Sequence, residues 1–281
     1  MFMLKSRFFS VVVCLLFAFS IPCAVSEAAN VAAAVKPDGK NLRILFLTAM
    51  SQEVEPLLSA HVVDKKHTLY PDLTIYEGKL DNNNVSVGML GIGKVNAAYA
   101  TTQYIIATKP DVIILFGSAG GLHALKRGVL FAAAQTWTYD YGAINPSGFE
   151  HWQSGTLPIG ENLPPVKMPV DSNIRSIVSA KYPKVEWVTV ATGDMFINNT
   201  AISQRIAKEG ADLVDMESSV VASVASRFKI PSLVLRVVSD GANDDAKGTF
   251  SDSLDQVCLN ATPQILSIMR TLADALPAAK L

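Results

Sequence analysis

Three acidic side chains stand where apolar runs of the sequence end. Glu53 comes shortly after Arg43–Thr48, Glu217 comes shortly after Leu213-Val214, and Asp240 comes just after the end of Ser232–Val238. Ligands of α/β proteins collect at the carboxyl ends of strands, so polar residues in these places are the first candidates for a site. Carboxyl groups in different protonation states can serve as general acid and general base. The sequence therefore allows acid–base chemistry without a metal.

Two of these places also have a purely structural interpretation. Asp240 could cap the turn Gly241-Ala242-Asn243, and Asp215 fits the N-cap of a helix that begins near Met216. Glu217 needs no such role and could turn into the cleft. Partial desolvation after a buried strand would raise the pKa of Asp240 and allow it to donate a proton.

Glycines accompany the acids in two further segments. Gly91 and Gly93 follow one apolar run, and Gly117, Gly120 and Gly121 follow another, together with Ser118. Glycine lets the backbone approach a ligand closely and can leave amide donors facing a pocket. Tight turns explain such glycines equally well. Neither segment has the spacing of a phosphate-binding or dinucleotide-binding loop.

Short apolar runs alternate with helix-like stretches from Leu42 onward. The predicted strands are Arg43–Thr48, Asn84–Leu90, Val112–Phe116, Trp187–Thr192 and Ser232–Val238. The predicted helices are Gln52–Ser59, Lys94–Ala107, Ala201–Lys208, Met216–Phe228 and Leu254–Ala273. This alternation predicts an α/β fold with helices on both faces of a largely parallel sheet.

One stretch, Tyr139–Pro169, interrupts this alternation. It combines five prolines and four glycines with Tyr141, Phe149 and Trp152. The stretch is too irregular for regular elements and too aromatic for a bare linker. We expect an ordered loop or lid here, because long loops in compact domains are usually functional.

The N-terminus has the pattern of an export signal. Lys5 and Arg7 precede the apolar run Phe8–Ile21, and small residues follow up to Ala28 and Ala29. We expect a signal peptide at residues 1–28, a linker at 29–41 and one domain at 42–281. The main alternative is an uncleaved anchor, although the run is shorter than the ~20 apolar residues of a spanning helix. Export would place the protein in the periplasm or outside the cell.

Charge and cysteine content exclude several classes of function. The full chain has a formal charge of −1, and loss of residues 1–28 would leave −2 without any basic run. Such a chain has no electrostatic footprint for nucleic acid or for an anionic membrane surface. Only Cys258 would remain, and no Cys/His cluster has metal-ligand spacing. We expect no metal, no cofactor and no stable membrane association after cleavage.

Six segments taken together resemble one known family over about Leu42 to Ala273. They are LTAMSQEVEPLL, LGIGKVNAAYATT, KPDVIILFGSAGGL, TGDMFI, DLVDMESSVVASVA and LRVVSDGA. Their order and spacing resemble the nucleoside phosphorylase superfamily and, within it, the 5'-methylthioadenosine/S-adenosylhomocysteine nucleosidases. The resemblance implies a three-layer α/β/α fold with a twisted, mostly parallel mixed central sheet. It also implies a homodimer that acts on a small nucleoside.

The resemblance further implies a role for each matching residue. Glu53 matches the residue that activates the hydrolytic water, Asp240 the acid that protonates the purine, and Glu217 the acceptor for ribose hydroxyls. Phe196 matches the aromatic that stacks on the base, and Ile197 the backbone contact to its edge. The other positions implied to line or support the site are Met216 beneath the sugar, Ser118 and Gly120 in the cleft, Met50 in the first loop, and Arg236 and Ser239 at the end of the last strand.

The implied activity is hydrolysis of the N-glycosidic bond of an adenine nucleoside. Phosphorolytic relatives hold phosphate with arginine, whereas Leu115 and Phe116 stand in the corresponding region and the first loop also lacks arginine. Aspartate at position 240 favours a 6-aminopurine. A phosphate-dependent phosphorylase and a non-catalytic nucleoside-binding or storage protein are the alternatives. The 5' substituent stays open, because Tyr139–Pro169 matches the family poorly.

Overall fold

The computed structural model describes residues 41–60, 62–123, 125–152 and 167–277. The predicted signal peptide and all but the last residue of the predicted linker lie outside these residues. In the described part of the chain, no helix combines the length and apolar character needed to cross a membrane.

Ten strands of the described residues form one mixed sheet. In chain order these strands and the separate hairpin are β1 Arg43–Thr48, β2 Val63–Tyr70, β3 Leu73–Leu80, β4 Asn83–Met89, β5 Val112–Gly121, β6 Leu130–Thr138, β7 Gly142–Asn145, β8 Gly148–His151, β9 Met168–Pro169, β10 Trp187–Thr192, β11 Leu213–Asp215 and β12 Ser232–Asp240. The main path through the sheet runs β11-β10-β6-β12-β5-β1-β4-β3-β2. Strands β4, β1, β5 and β12 are parallel neighbours, so their carboxyl ends meet at one edge.

Part of the sheet closes on itself. Strand β11 pairs in parallel with β10 and in antiparallel with the end of β5, where Val214 faces Gly120. Strands β5, β12, β6, β10 and β11 therefore form a ring. This closure brings Asp215 and the residues after it next to the ends of β5 and β12.

Helices cover both faces of the sheet, which confirms the predicted α/β fold class. They are α1 Ser51–Ser59, α2 Lys94–Thr108, α3 Ser172–Lys181, α4 Thr200–Lys208, α5 Ser218–Arg227 and α6 Ala246–Ala275. Alternate residues of one strand enter different cores: Ile44 and Phe46 pack with α1, α3 and α6, whereas Leu45 and Leu47 pack with α2 and α5. Continuous apolar strands are what a sheet buried on both faces requires.

The sequence predictions agree with the structure for most helices but omit several observed elements. The predicted bounds of β1 and β10 are those observed, and the predicted helices overlap α1, α2, α4, α5 and α6. The meander β2–β3, strand β6 and helix α3 were not predicted. The glycine-rich segment after Phe116 was predicted as a loop, but it continues β5 to Gly121.

The prediction for Tyr139–Pro169 was wrong in its described part. Residues 142–151 form the β7–β8 hairpin, and Met168–Pro169 pairs with β6. Glu150 and the aromatic ring of Phe149 lie so close to Gly142 that a Cβ there would collide with the main chain of Glu150 at 1.9 Å. Residues 153–166 lie outside the described ranges.

Candidate active site

A cavity of about 300 Å³ opens at the edge where the carboxyl ends of the strands meet. Its lining includes ten of the eleven predicted site residues: Glu53, Asp240, Glu217, Met216, Phe196, Ile197, Ser118, Gly120, Met50 and Ser239. Arg236 is the exception, since it does not line the cavity and is 1% exposed. Sequence segments separated by up to 190 residues thus contribute to one pocket.

Glu53 enters the cavity from the first turn of α1 and is 2% exposed. One carboxylate oxygen accepts hydrogen bonds from the amides of Ala49 (2.9 Å) and Met50 (3.1 Å). The other accepts from the amide (2.8 Å) and the hydroxyl (3.0 Å) of Ser118. All four contacts use the carboxylate as acceptor, which is the arrangement of an ionised base.

Arg236 lies beneath the cavity and holds carboxylates in place. Its Nε is 2.8 Å from Asp215 Oδ2 and its Nη2 is 3.3 Å from Glu217 Oε2. It also donates to the main-chain oxygen of Ser118 at 3.5 Å. These contacts hold Asp215 and Glu217 from below, and they place Arg236 under the cavity and not in its wall.

Glu217 is 4% exposed and joins two sides of the pocket. Its Oε1 accepts from the amide of Gly93 at 3.0 Å, and its Oε2 faces Arg236. Burial raises the pKa of Glu217 above its ordinary value, the positive charge of Arg236 lowers it, and the negative charge of Asp215 raises it further. The helix α5 begins after Glu217, whose side chain makes no capping hydrogen bond.

Asp215 takes the capping contacts that the sequence suggested. It accepts from the amide of Ser218 at 3.3 Å and from the hydroxyl of the same residue. It also accepts from Thr192 Oγ1 at 2.6 Å and pairs with Arg236. A fully buried guanidinium needs such a partner, because an unpaired buried charge is strongly destabilising.

Asp240 is the last residue of β12 and combines both interpretations that the sequence allowed. Its Oδ1 accepts from the amide of Ala242 at 2.9 Å, which caps the following turn, and its Oδ2 accepts from the hydroxyl of Ser239 at 2.8 Å. It also lines the cavity and is 5% exposed. Burial raises the pKa of Asp240, and the two hydrogen bonds oppose that shift.

The segment after β10 forms an apolar wall of the cavity. Phe196 is 47% exposed, and its ring meets that of Phe250 edge to face at 5.5 Å. Within the described ranges, the main-chain amide and carbonyl of Ile197 make no protein hydrogen bond. An aromatic face beside free main-chain groups can stack on a planar heterocycle and bond its edge.

Glycines permit the close approach of these groups. A Cβ on Gly117 would lie 2.1 Å from Arg236 Nη1 and 2.9 Å from Glu53 Oε1. A Cβ on Gly120 would lie 2.9 Å from that of Ala242 and 3.2 Å from Asp240 Oδ1. Both positions are therefore restricted to glycine by packing around the carboxylates rather than by a turn.

Eight lining residues had been given no role in the pocket: Ala49, Ile92, Ala119, Met195, Val214, Asp215, Ala242 and Phe250. Ile92 and Met195 stand inside motifs that the sequence singled out, next to glycine and aromatic positions. Phe250 lies in the first turns of α6, before the point at which a helical apolar repeat becomes readable. The one signal in the sequence was that Phe250 follows Asp240 closely along the chain.

Comparisons with known proteins agree with this geometry. The sequence profile of the Phosphorylase superfamily matches residues 43–274. A 5'-methylthioadenosine/S-adenosylhomocysteine nucleosidase of Exiguobacterium sp. is 30% identical over 240 residues, which are 83% of this chain and 100% of that one. The same enzyme of Haemophilus influenzae is 30% identical over 242 residues, 83% of this chain and all of the other.

Solved structures give the same result. The nucleosidase of Neisseria meningitidis in complex with methylthio-immucillin-A has a TM-score of 0.71 and 27% identity, covering 82% of this chain and 99% of that one. A nucleosidase of Helicobacter pylori has a TM-score of 0.72 and 25% identity, covering 82% and 99%. The chain belongs to the phosphorylase superfamily and, within it, to the 5'-methylthioadenosine/S-adenosylhomocysteine nucleosidase family.

Proposed function

We propose that this chain hydrolyses the N-glycosidic bond of adenine nucleosides such as 5'-methylthioadenosine and S-adenosylhomocysteine, with release of adenine. One observation carries the proposal: the carboxyl groups of Glu53, Glu217 and Asp240 line a single cavity beside Phe196. Glycosidic cleavage needs protonation of the leaving group, an activated water and negative charge near a ribosyl cation. Three acids of different environment supply these needs.

Asp240 is proposed to protonate the departing purine. A carboxyl group donates efficiently only if part of its population is protonated near the working pH, and burial raises the pKa of Asp240 in that direction. The hydrogen bonds from Ala242 and Ser239 fix its orientation toward the cavity. Protonation of a ring nitrogen converts the base into a neutral leaving group.

Glu53 is proposed to activate the water. Its four hydrogen-bond donors differ in freedom, because three are main-chain amides and only the hydroxyl of Ser118 can rotate. A water that reaches Glu53 replaces that hydroxyl as donor, and the turned hydroxyl can in turn accept from or donate to the water. Ser118 then helps to orient the nucleophile toward C1' of the ribosyl group.

Charge in the cavity supports the cationic transition state. Glu53, Asp215 and Glu217 surround a single buried cation, Arg236, so the cluster is net negative when the acids are ionised. Preorganised negative charge stabilises an oxocarbenium-like sugar without reorganisation during the reaction. Glu217 is proposed to accept the ribose hydroxyls, and Met216 to contact the sugar from below.

Water is favoured over phosphate by the composition of the wall. Among the described residues, the cavity is lined by no lysine and no arginine, and Leu115 and Phe116 are fully buried. Arg236 is already committed to carboxylates. A phosphate dianion needs charged donors with fork geometry, so a phosphorylase would lack its anion site here.

The test is chromatographic measurement of adenine release from methylthioadenosine, S-adenosylhomocysteine and adenosine, with and without phosphate. Release that needs no phosphate supports hydrolysis and ranks the 5' substituents. Strict dependence on phosphate would select the phosphorylase, and tight binding without turnover of any nucleoside would select the storage protein.

We also propose that the chain acts as a homodimer. Exposed apolar side chains cluster at the start of α2 near the cavity mouth, where Ile92 is 50%, Val95 80% and Tyr99 40% exposed. Tyr70 lies beside them, with its ring 6.5 Å from that of Tyr99. Contiguous exposed apolar surface of this kind is typical of a subunit interface. Light scattering with Val95→Asp tests it, since a charge there should yield a monomer.

Export is proposed on the N-terminal sequence alone. The basic residues Lys5 and Arg7 and the apolar run Phe8–Ile21 support a cleaved signal peptide over residues 1–28. N-terminal sequencing of the protein recovered from a cell fraction tests both the site of cleavage and the compartment. An intact N-terminus in the membrane fraction would favour the anchor.

A further inference from the structure

The segment Gly193–Asn199, here called the base loop, must hold Phe196 and Ile197 in place at the cavity wall. Its apolar side chains Met195 and Phe196 are 45% and 47% exposed, so burial alone cannot fix them. It is coil between β10 and α4 and carries no repeating backbone hydrogen bonds. The buried side chain of Ile197 anchors the loop to the core, and polar contacts from outside the loop add to the support of the exposed Met195 and Phe196.

Three charged residues supply such contacts at the start of the base loop. Lys94 Nζ is 2.5 Å from Asp140 Oδ1 and 3.7 Å from Asp194 Oδ2. The amide of Asp194 donates to Asp140 Oδ2 at 2.8 Å, and the amide of Lys94 donates to Asp194 Oδ1 at 2.6 Å. Both the main chain and the side chain of Asp194 are thus held, by two different elements.

The same turn also holds the ribose side of the cavity. Gly93 and Lys94 donate from consecutive amides, the first to Glu217 and the second to Asp194. Amides at a helix N-terminus have no partner within the helix, so both are free to bind carboxylates. Gly93 has φ 93° and a Cβ there would stand 3.0 Å from Asp194 Oδ1, which restricts the position to glycine.

The far end of the base loop has separate supports. The side chain of Asn198 accepts from the amide of Lys247 at 2.9 Å, and Asp244 accepts from the amide and hydroxyl of Thr200 at 3.0 Å. These contacts tie the far end of the loop to α6 and to the turn before it. At its beginning, the amide of Gly193 donates to the main-chain oxygen of Asp215 at 3.0 Å, and the hydroxyl of Tyr139 donates to that of Met195 at 3.4 Å. Lys94 and Asp140 are the side chains that contact Asp194 itself, and they fix its position relative to Glu217.

We propose that Lys94, Asp140 and Asp194 are positioning residues that set the distance between the base loop and the ribose-binding Glu217. Lys94 is 24% and Asp140 16% exposed, so the ion pair between them is less screened than a surface pair, whereas Asp194 is 46% exposed. Without the ammonium group, Asp140 and Asp194 repel each other across the gap it filled. The base loop then moves away from α2, and Phe196 and Ile197 lose their alignment with a bound base.

The inference rests on the proposed function, and its test uses adenine as a probe of the base loop alone. Lys94→Met removes the charge but keeps the aliphatic chain, Lys94→Arg keeps the charge, and Arg270→Met removes an exposed cation that pairs with Asp81 far from the cavity. For each variant, adenine affinity is measured by calorimetry, and KM, kcat and melting temperature are measured in parallel.

Lys94→Met should weaken adenine binding and raise KM by about tenfold. The reason is that a displacement of Phe196 and Ile197 by about 1 Å relative to the base already weakens stacking and hydrogen bonding. Lys94→Arg should recover most of the loss, Arg270→Met should behave as wild type, and kcat should change less than KM. Should Lys94→Met fail to fold, Asp140→Asn removes the same ion pair without a change of size.

Unchanged adenine affinity in folded Lys94→Met, or an equal loss in Arg270→Met, would overturn the positioning role while leaving the hydrolase intact. A wild-type protein that neither binds adenine nor releases it overturns the proposed function and this inference together. The two failures are therefore distinguishable within one set of measurements.

Discussion

Replacing Glu53 by glutamine perturbs a carboxylate that accepts four hydrogen bonds. The carboxylate accepts from Ala49 and Met50 on one oxygen and from the amide and hydroxyl of Ser118 on the other. Glutamine has one oxygen, which can accept from one of these pairs of donors, and one NH₂ group, which must then face the other pair without an acceptor. The less costly orientation directs the NH₂ to Ser118, whose hydroxyl can turn to accept while its amide loses its partner.

The size of the effect follows from that count. One buried amide without an acceptor costs about 1–3 kcal/mol. For a domain of this size, each kcal/mol lowers the melting temperature by about 2–4 °C. Loss of the base lowers kcat by about 10²–10⁴-fold. Glu53→Gln should therefore be both less stable and nearly inactive, although the change alters only one atom.

Adenine release and thermal unfolding measure the two effects separately. Glu55→Gln is the matched control, since Glu55 is exposed on the same helix and undergoes the same chemical change. Wild-type kcat in Glu53→Gln would refute the assignment of the base. A normal melting temperature with lost activity would instead refute the hydrogen-bond account of how Glu53 is held.

Three further outcomes follow from the same geometry. Asp240→Asn keeps an oxygen for its capping amide but has no proton to give, so kcat should fall by about 10²–10⁴-fold with little change in melting temperature. Burial raises the pKa of Glu217 to about 7. The value of kcat/KM should therefore fall as the pH drops through about 7, because this carboxylate becomes neutral, and Glu217→Gln should abolish that fall. Gly117→Ala should lower both melting temperature and activity, because its Cβ would collide with Arg236, whereas Gly248→Ala meets nothing within 4 Å in α6 and should stabilise by about 0.5–1 kcal/mol.

The elements predicted most accurately from the sequence are strands that are buried along almost their whole length. Strands β1 and β10 are buried at every position after the first, and their predicted bounds are those observed. Strand β2 has the sequence VDKKHTLY and is mostly exposed, so it carries neither an apolar run nor a regular alternation. Its pairing with β3 depends on contacts that local composition does not encode.

The extension of β5 shows where local rules fail. Gly117, Gly120 and Gly121 indicate a turn when read alone, because glycine is unfavourable within strands. In the structure these residues continue the strand and pair with β12 and β11. Close approach of Arg236 and Glu53 explains Gly117, and that of Ala242 explains Gly120; such contacts are visible only after the ring of strands has closed.

The site was more predictable than the fold around it. Glu53 and Asp240 follow β1 and β12, which belong to the parallel group, so their convergence at one edge needs no knowledge of register. Glu217 joins them because β11 pairs in antiparallel with the end of β5. The place of Arg236 could not be predicted, since its alternating position in β12 leaves open whether it faces the cavity or the layer of carboxylates below. Phe250 likewise enters the pocket through the packing of α6, which its own neighbours in sequence do not reveal.

The central claim is that a water molecule activated by Glu53 attacks the sugar while Asp240 releases the base. Mass spectrometry of the pentose formed from 5'-methylthioadenosine in heavy-oxygen water tests this claim most directly. The expected products are adenine and a pentose that carries the label at its anomeric oxygen when it is reduced with borohydride as it forms, before that oxygen exchanges with the solvent; both should form at the same rate with or without phosphate. An unlabelled pentose, a pentose phosphate, or no adenine at all would contradict it.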